Sequence, residues 1–233
     1  MNHPVDKLGK LTNDIELLAN ILSHDFKKPL RAINNASTEF QHNNVQLDHN
    51  AKEFIRAIDS ATKDINIMVE AILEYLRLEV YPLELSPINC HDVVEEVIGL
   101  KHDLIAENKA VIKLGILPTV MGYKKKLIYL FSELIENAIK FKRQDLVPVI
   151  EINASCNEDI CSFSISDNGI AIEEEYFEVI FLLFQRLHTR EEIPGYGIGL
   201  ALCNKIVEAS GGKMWVESTA NEGGRFCFTL TKA

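Results

Sequence analysis

No apolar run approaches the ~18 residues that a membrane span needs, and the opening "MNHPVDKLGK" lacks the apolar segment of a secretory signal. Cytoplasmic residence is therefore the expectation. There is no CxxC pair either. Cys90, Cys156, Cys161, Cys203 and Cys227 form an odd set, so reduced and mostly buried thiols are expected rather than a zinc site or a disulfide framework. Excess positive charge is also missing: the formal charge of -10 and pI near 5.2 argue against nonspecific binding to nucleic acid or an anionic membrane. The run "KKK" at 124–126 is a local exception and reads as a solvated helix start. No internal repeat or low-complexity segment interrupts the chain. What remains is 233 residues, 47% apolar and 25% charged, enough for one large core or two modest ones.

From residue 8, Leu8, Leu11, Ile15, Leu18 and Leu22 advance by steps of three and four, the spacing of a coiled-coil seam. Phe54, Ile58, Ala61, Ile65, Met68, Ile72 and Tyr75 repeat it more strictly, with charged residues on the other faces. Joined by the polar "QHNNVQLDHN", the two segments make an antiparallel helical hairpin. A lone hairpin leaves each seam half exposed, whereas a homodimer closing a four-helix bundle would cover it. The prolines of "EVYPLELSP" end the heptads and place a domain boundary near residue 82, giving domains 1–82 and 83–233.

Beyond that boundary, three-and-four spacing predicts helices over about 91–107, 123–143 and 198–210. Alternation such as "FSIS" and "FCFTL" predicts strands over 110–116, 148–155, 160–167, 213–218 and 225–231. Helices and strands do not alternate as βαβ units, so the fold class is α+β: the helical hairpin followed by an α/β sandwich.

The stretch "SHDFKKPL" puts a titratable ring and a helix breaker in the first helix. If Leu18 and Leu22 lie in the seam, His24 sits about 200° around from Leu22 and faces water. An exposed imidazole titrates near about pH 6.5, so at neutral pH one ring nitrogen is free to attack an electrophile. Asp25 beside it would hold the other nitrogen protonated. Pro29 removes one helix amide, costing ~3 kcal/mol. Several seam residues at ~1.5–3 kcal/mol each outweigh that, so the helix continues with a bend. Taken alone, these eight residues fit a surface histidine near an incidental kink equally well.

Three further stretches bear on the choice. In "FSELIENAIKFK", Glu133 and Asn137 lie one helical turn apart with Lys140 beside them, a polar line among buried apolar residues. An amide oxygen and a carboxylate together suit Mg²⁺. In "ISDNGIAI", a strand ends at Asp167 and turns through Gly169, presenting a carboxylate able to accept from an exocyclic amine. In "PGYGIGLALCNKIVEASGG", Gly195, Gly197 and Gly199 lead into an amphipathic helix, a turn suited to phosphate. The spacing is not GxGxxG and no βαβ unit encloses it, so this is not a dinucleotide fold. Together the three stretches describe one ATP site.

In that order, "SHDFKKPLRAI", "ELIENAIKF", "SDNGIAI", "IFLLFQRLHTREEIPG" and "GYGIGLALCNKIVEASGGKMWVES" resemble the H, N, first glycine, F and second glycine boxes of two-component sensor histidine kinases. "FQRLHTREEIPG" is closest to the phytochrome-like type. The resemblance implies a dimerisation and phosphoacceptor hairpin followed by a Bergerat-type ATP-binding domain. His24 would be phosphorylated, with Asp25 assisting as acid or base. Asn137 would bind Mg²⁺, Lys140 and Arg186 would approach the phosphates, and Asp167 would bind adenine. Gly169, Gly197 and Gly199 would shape the lid and phosphate turn. The phosphoryl group would pass to the receiver domain of a response regulator, and the signal would come from a separate sensor protein or a sensor domain absent from this chain.

The sequence departs from the family at four places. Lys28 stands where kinases that also dephosphorylate their partner carry threonine or asparagine. Ala171 replaces a glycine; if that position needs a left-handed backbone, its Cβ costs ~1–2 kcal/mol and weakens ATP binding. Tyr123 follows "MG" where an aspartate is common, and Glu133 occupies a position often held by asparagine. Glutamate there activates water in related ATPases, so an ATPase is one alternative. A phosphotransfer or scaffold dimer with a decayed ATP site, motivated by Ala171, is another.

Overall fold

The computed structural model describes residues 27–42, 49–80, 84–189, 191–219 and 222–233. The chain divides into two compact units, Met1–Tyr81 and Pro82–Ala233. His24, Asp25 and the seam positions from Leu8 to Leu22 lie outside the described residues.

In the first unit, α1 (Lys27–His42) packs against α2 (His49–Val80). Pro29 is exposed, and α1 runs on past it to His42. Leu30 of α1 meets Val69 and Leu73 of α2 in a small buried cluster. Ser37 Oγ donates to the Ile55 carbonyl at 3.4 Å, and Lys27 pairs with Glu70 at 2.5 Å. The buried stripe of α2 thus passes through Thr62, Val69 and Leu73, each one residue beyond a position of the strict heptad line. One residue is about 100° of helix, so the two stripes lie side by side on one broad face. The heptad line itself is uncovered over its first half: Phe54 is 70% exposed, Ile58 47% and Ile65 43%.

The second unit is a two-layer sandwich. Its strands β1 (Ser86–Asn89), β2 (Val111–Leu114), β3 (Thr119–Gly122), β4 (Val149–Cys156), β5 (Ile160–Asp167), β6 (Met214–Thr219) and β7 (Gly223–Thr231) form two sheets. The larger has the order β2-β4-β5-β7-β6; β2 pairs with β4 in parallel and the other neighbours are antiparallel. β1 and β3 form a separate antiparallel pair. The helices are α3 (Cys90–Leu100), α4 (His102–Glu107), α5 (Lys124–Lys140) and α6 (Gly199–Ala209).

Alternation decides which face of the large sheet is covered. Along β5, Cys161, Phe163 and Ile165 are buried on one face, opposite Leu230, Phe228 and Phe226 of β7. The intervening residues are serines. Phe163 stacks on Phe228 with centroids 4.9 Å apart, and Phe131 of α5 meets them edge-on at 6.1 and 5.8 Å. Such aromatic pairs add about 0.5–1.5 kcal/mol beyond the area they bury. Together with Leu127, Leu130, Leu134 and Ile135, all buried, Phe131 seats α5 on the sheet.

Several expectations need correction. The helix expected over 91–107 is broken at Lys101, two residues after Gly99, a poor helix former. Cys156 and Cys161 are joined by a disulfide across the β4–β5 turn, so the expectation of five reduced thiols fails. Cys90, Cys203 and Cys227 are buried thiols, with burial pushing Cys90 up to about 12. Tyr123 stands at the N-cap of α5 and makes no side-chain cap bond, a place where an aspartate would supply one. No described helix is long and apolar enough to cross a membrane.

Candidate functional site

The C-terminal half of α5 carries Glu133, Asn137 and Lys140, all half-buried beside the fully buried Leu134 and Ile135. Burial pushes the Glu133 carboxyl up, and the neighbouring Glu136 adds to the shift; Lys101 and Lys140 oppose it. Lys101 itself bonds Glu136 at 2.7 Å. Burial pulls the Lys140 ammonium down, and the nearby Arg186 pulls it further, against the two glutamates. The Lys140 ammonium lies 5.1 Å above the Phe141 ring.

The glycine turn lies directly against this polar line. A Cβ placed on Gly195 would be 2.6 Å from Lys140 Nζ, and one on Gly199 would run into the Glu133 carboxylate. Gly199 opens α6, whose N-cap residue Ile198 makes no side-chain cap bond, so the carboxylate sits at the positive end of a helix. Gly197 has φ +68°, and any Cβ there would come within 2.5 Å of the Gln185 carbonyl. Its own carbonyl accepts from the Phe184 amide at 2.6 Å.

The segment between those two residues is tied across itself. Arg186 Nη2 donates to the Ile193 carbonyl at 2.6 Å. The Thr189 amide donates to Glu192 Oε2 at 2.9 Å, and the Ile193 amide to the Thr189 carbonyl at 3.1 Å. The His188 ring faces Phe141 with centroids 5.9 Å apart.

Asp167 ends β5. Its Oδ1 accepts from the Gly169 amide at 2.8 Å and from the Gly224 amide at 3.3 Å. Burial pushes this carboxyl up, and the two amide bonds hold it partly back. Gly223, at φ +94°, lies against the Asp167 carbonyl where a side chain would collide. A Cβ on Gly169 would be 2.5 Å from the Phe141 carbonyl, which accepts from the Ile170 amide at 2.9 Å. Phe141 directly follows Lys140, so one residue links the basic end of the site to the turn carrying the carboxylate. Asn168 fixes the other side of that turn: its Oδ1 accepts from Val149 and its Nδ2 donates to Val147, both at 2.9 Å. Arg143 Nε donates to the Asn168 carbonyl at 3.1 Å.

The structure therefore brings Glu133, Lys140, Arg186, Gly195 and Gly199 together, with Asn137 one turn along α5 and Asp167 and Gly169 joined to them through Phe141. Gly223, Gly224 and Phe141 escaped the sequence reading, although the pair "GG" opening a strand was a readable sign of a close backbone approach. Ala171 is not in a left-handed conformation, the only non-glycine cases among the described residues being Lys109 and Phe184. The penalty expected from its Cβ is absent, and with it the motive for a decayed site.

The donor set fits a nucleotide. One oxygen of Asp167 is held by two amides, leaving the other to accept from an amine, while the Lys140 ammonium lies against a glycine turn at a helix start with Arg186 near it.

Residues 122–233 match the family described as histidine kinase-, DNA gyrase B- and HSP90-like ATPases. Cyanobacterial phytochrome A of Nostoc sp. is 36% identical over 234 residues, covering 97% of this chain and 30% of its own length. The adaptive-response sensory kinase SasA of Synechococcus sp. is 31% identical over 219 residues, covering 90% of this chain and 57% of its own. The chain thus spans between 30% and 57% of these relatives. Full-length ShkA in complex with AMPPNP shares the fold with a TM-score of 0.71 over 93% of this chain and 46% of that one, at 22% identity. Residues 122–233, which hold the site, are thus a domain of the histidine kinase-, DNA gyrase B- and HSP90-like ATPase family, and over nearly all its residues the chain is similar to a cyanobacterial phytochrome and a sensory kinase.

Proposed function

We propose that the chain is an ATP-dependent protein-histidine kinase in which His24 takes the γ-phosphoryl group of Mg-ATP and passes it to an aspartate on the receiver domain of a response regulator. The helical unit serves as dimerisation and phosphoacceptor domain, and the sandwich as the catalytic domain. The single observation that carries this is the convergence of Lys140, Arg186 and the 195–199 glycine turn, with Asp167 fixed at the far end of the same site. Bound Mg-ATP supplies an electrophilic phosphorus whose charge the metal helps neutralise. Asn137, with Glu133 behind it, would offer oxygens to the metal; Lys140 and Arg186 would attract the phosphates; Asp25, next to His24 in sequence, would assist it as acid or base. Incubation with γ-labelled ATP is expected to give an acid-labile, base-stable label on the peptide containing His24. A label stable to acid, or mapping to another residue, removes the assignment.

Asp167 sets the base end. An asparagine side chain at this position commits its one oxygen to the two glycine amides and then turns an N–H donor toward the donor amine of adenine. Losing a hydrogen bond to a charged group removes about 1.5–3 kcal/mol. Asp167→Asn is therefore expected to weaken Mg-ATP binding about 10- to 150-fold by calorimetric titration. In the native protein the affinity falls as pH drops, starting above the ordinary aspartate range because burial raises this carboxyl and only the ionised form accepts with both oxygens.

The uncovered Phe54, Ile58 and Ile65 stripe fits a second copy of the chain, since a heptad line is complementary to itself across a twofold axis. Burying one isoleucine per copy contributes about 1.5–3 kcal/mol each. Ile65→Asp is expected to weaken the homodimer by at least about a hundredfold, read by sedimentation equilibrium. Input comes from a separate sensor protein or an additional sensor domain, and the setting is cytoplasmic. Lys28, exposed on α1, replaces the side chain that would orient water, so dephosphorylation of the partner is weak.

A further inference from the structure

The Cys156–Cys161 pair takes no part in the nucleotide chemistry, and its two members differ sharply in access. Cys156, the last residue of β4, is exposed; Cys161 is fully buried, opposite Leu230 of β7. The hairpin that carries them is held without the sulfur link. The Asn157 amide donates to the Ile160 carbonyl at 2.9 Å, and Asn157 Oδ1 accepts from the Asp159 and Ile160 amides at 3.1 and 2.7 Å. The Lys232 amide fastens the same turn through the Asp159 carbonyl at 2.8 Å. Seven register pairs, from Ile150↔Asp167 to Cys156↔Cys161, hold the two residues opposite one another.

We propose that Cys156 and Cys161 form a reversible thiol–disulfide site that exchanges with low-molecular-weight thiols and disulfides of the glutathione class, always through Cys156. In the oxidising direction the Cys156 thiolate attacks a glutathione disulfide, forming a mixed disulfide and expelling one glutathione thiolate. The Cys161 thiol loses its proton to solvent and attacks the Cys156 sulfur, expelling the second glutathione. The balance is protein dithiol plus glutathione disulfide giving protein disulfide plus two glutathione. In the reverse direction glutathione attacks the sulfur of Cys156, the exposed residue of the pair, and Cys161 leaves. The link spans a very short loop, so it restrains the unfolded chain less than a long-range disulfide and the two states interconvert without unfolding. Cys90, Cys203 and Cys227 are buried thiols, pushed up by burial, and stay out of the exchange.

The folded protein is equilibrated across glutathione buffers from fully reduced to fully oxidised, quenched with acid, alkylated and weighed. The expected result is a single two-thiol transition, confined to Cys156 and Cys161, that reverses when the ratio is reversed. Cys161→Ser under glutathione disulfide accumulates one glutathione on Cys156, whereas Cys156→Ser accumulates none. A link unchanged across the whole series, a dithiol that persists in glutathione disulfide alone, or adduct formation on Cys161 in Cys156→Ser each overturns the proposal. The wild-type titration needs no substitution, so a variant that fails to fold leaves the first two outcomes decisive.

Discussion

Replacing His24 with alanine is expected to remove the acid-labile label entirely while Mg-ATP binding changes by less than about twofold. The asymmetry follows from where the groups lie. Every residue assigned to the nucleotide falls within 122–233, and its support, from the Phe141 carbonyl to the Gly224 amide, is internal to the second unit. His24, the proposed nucleophile, belongs to the first unit. A methyl side chain offers no substitute for a ring nitrogen, so the loss is all or none rather than graded. Glu133→Gln is the companion measurement, because Glu133 is a half-buried carboxyl that burial pushes up, placed against Gly199, features that also suit activation of water. Phosphate release that persists in His24→Ala and vanishes in Glu133→Gln would make the chain an ATPase whose hairpin only dimerises.

The second large effect is on stability. Phe131→Ala empties the centre of the aromatic group it forms with Phe163 and Phe228, all almost completely buried. Removing a buried phenylalanine costs about 3–5 kcal/mol through lost transfer energy and the cavity left behind. In a domain of roughly 150 residues that lowers the melting temperature by roughly 6–20 °C in a thermal scan. Phe131→Leu keeps most of the volume and is expected to lose clearly less. Equal losses from the two variants would mean that the sheet and α5 close over the site after truncation, contrary to the edge-on packing described.

Much of this site was legible because its signals are local. The β5 strand shows in "ICSFSISD" as plain alternation, and its end at Asp167 agrees with the structure. The polar line on α5 shows as a helical spacing interrupted by apolar residues. Signals that depend on pairing were not legible. β1 and β3 are four residues each, "SPIN" and "TVMG", too short to alternate convincingly, and each exists because the other lies beside it. The disulfide was missed by counting cysteines, although strands expected at 148–155 and 160–167 already implied a hairpin with Cys156 and Cys161 facing across its end. The heptad positions of the second helix were found, but the adjoining line through Thr62 and Val69 was not, because a threonine in the middle hides its apolar character. Gly224 as a holder of Asp167 is 57 residues away in sequence and emerges only from the β5–β7 register.

The bond between the Phe184 amide and the Gly197 carbonyl has a consequence for how such proteins diverge. The chain departs and rejoins the domain at one doorway, so extra residues near Thr189 lengthen an appendage without shifting either jamb. Doubling such a loop raises its closure term by only ~0.6 kcal/mol. Insertions there thus add little closure entropy, and the length of this segment can change apart from the residues that hold Asp167.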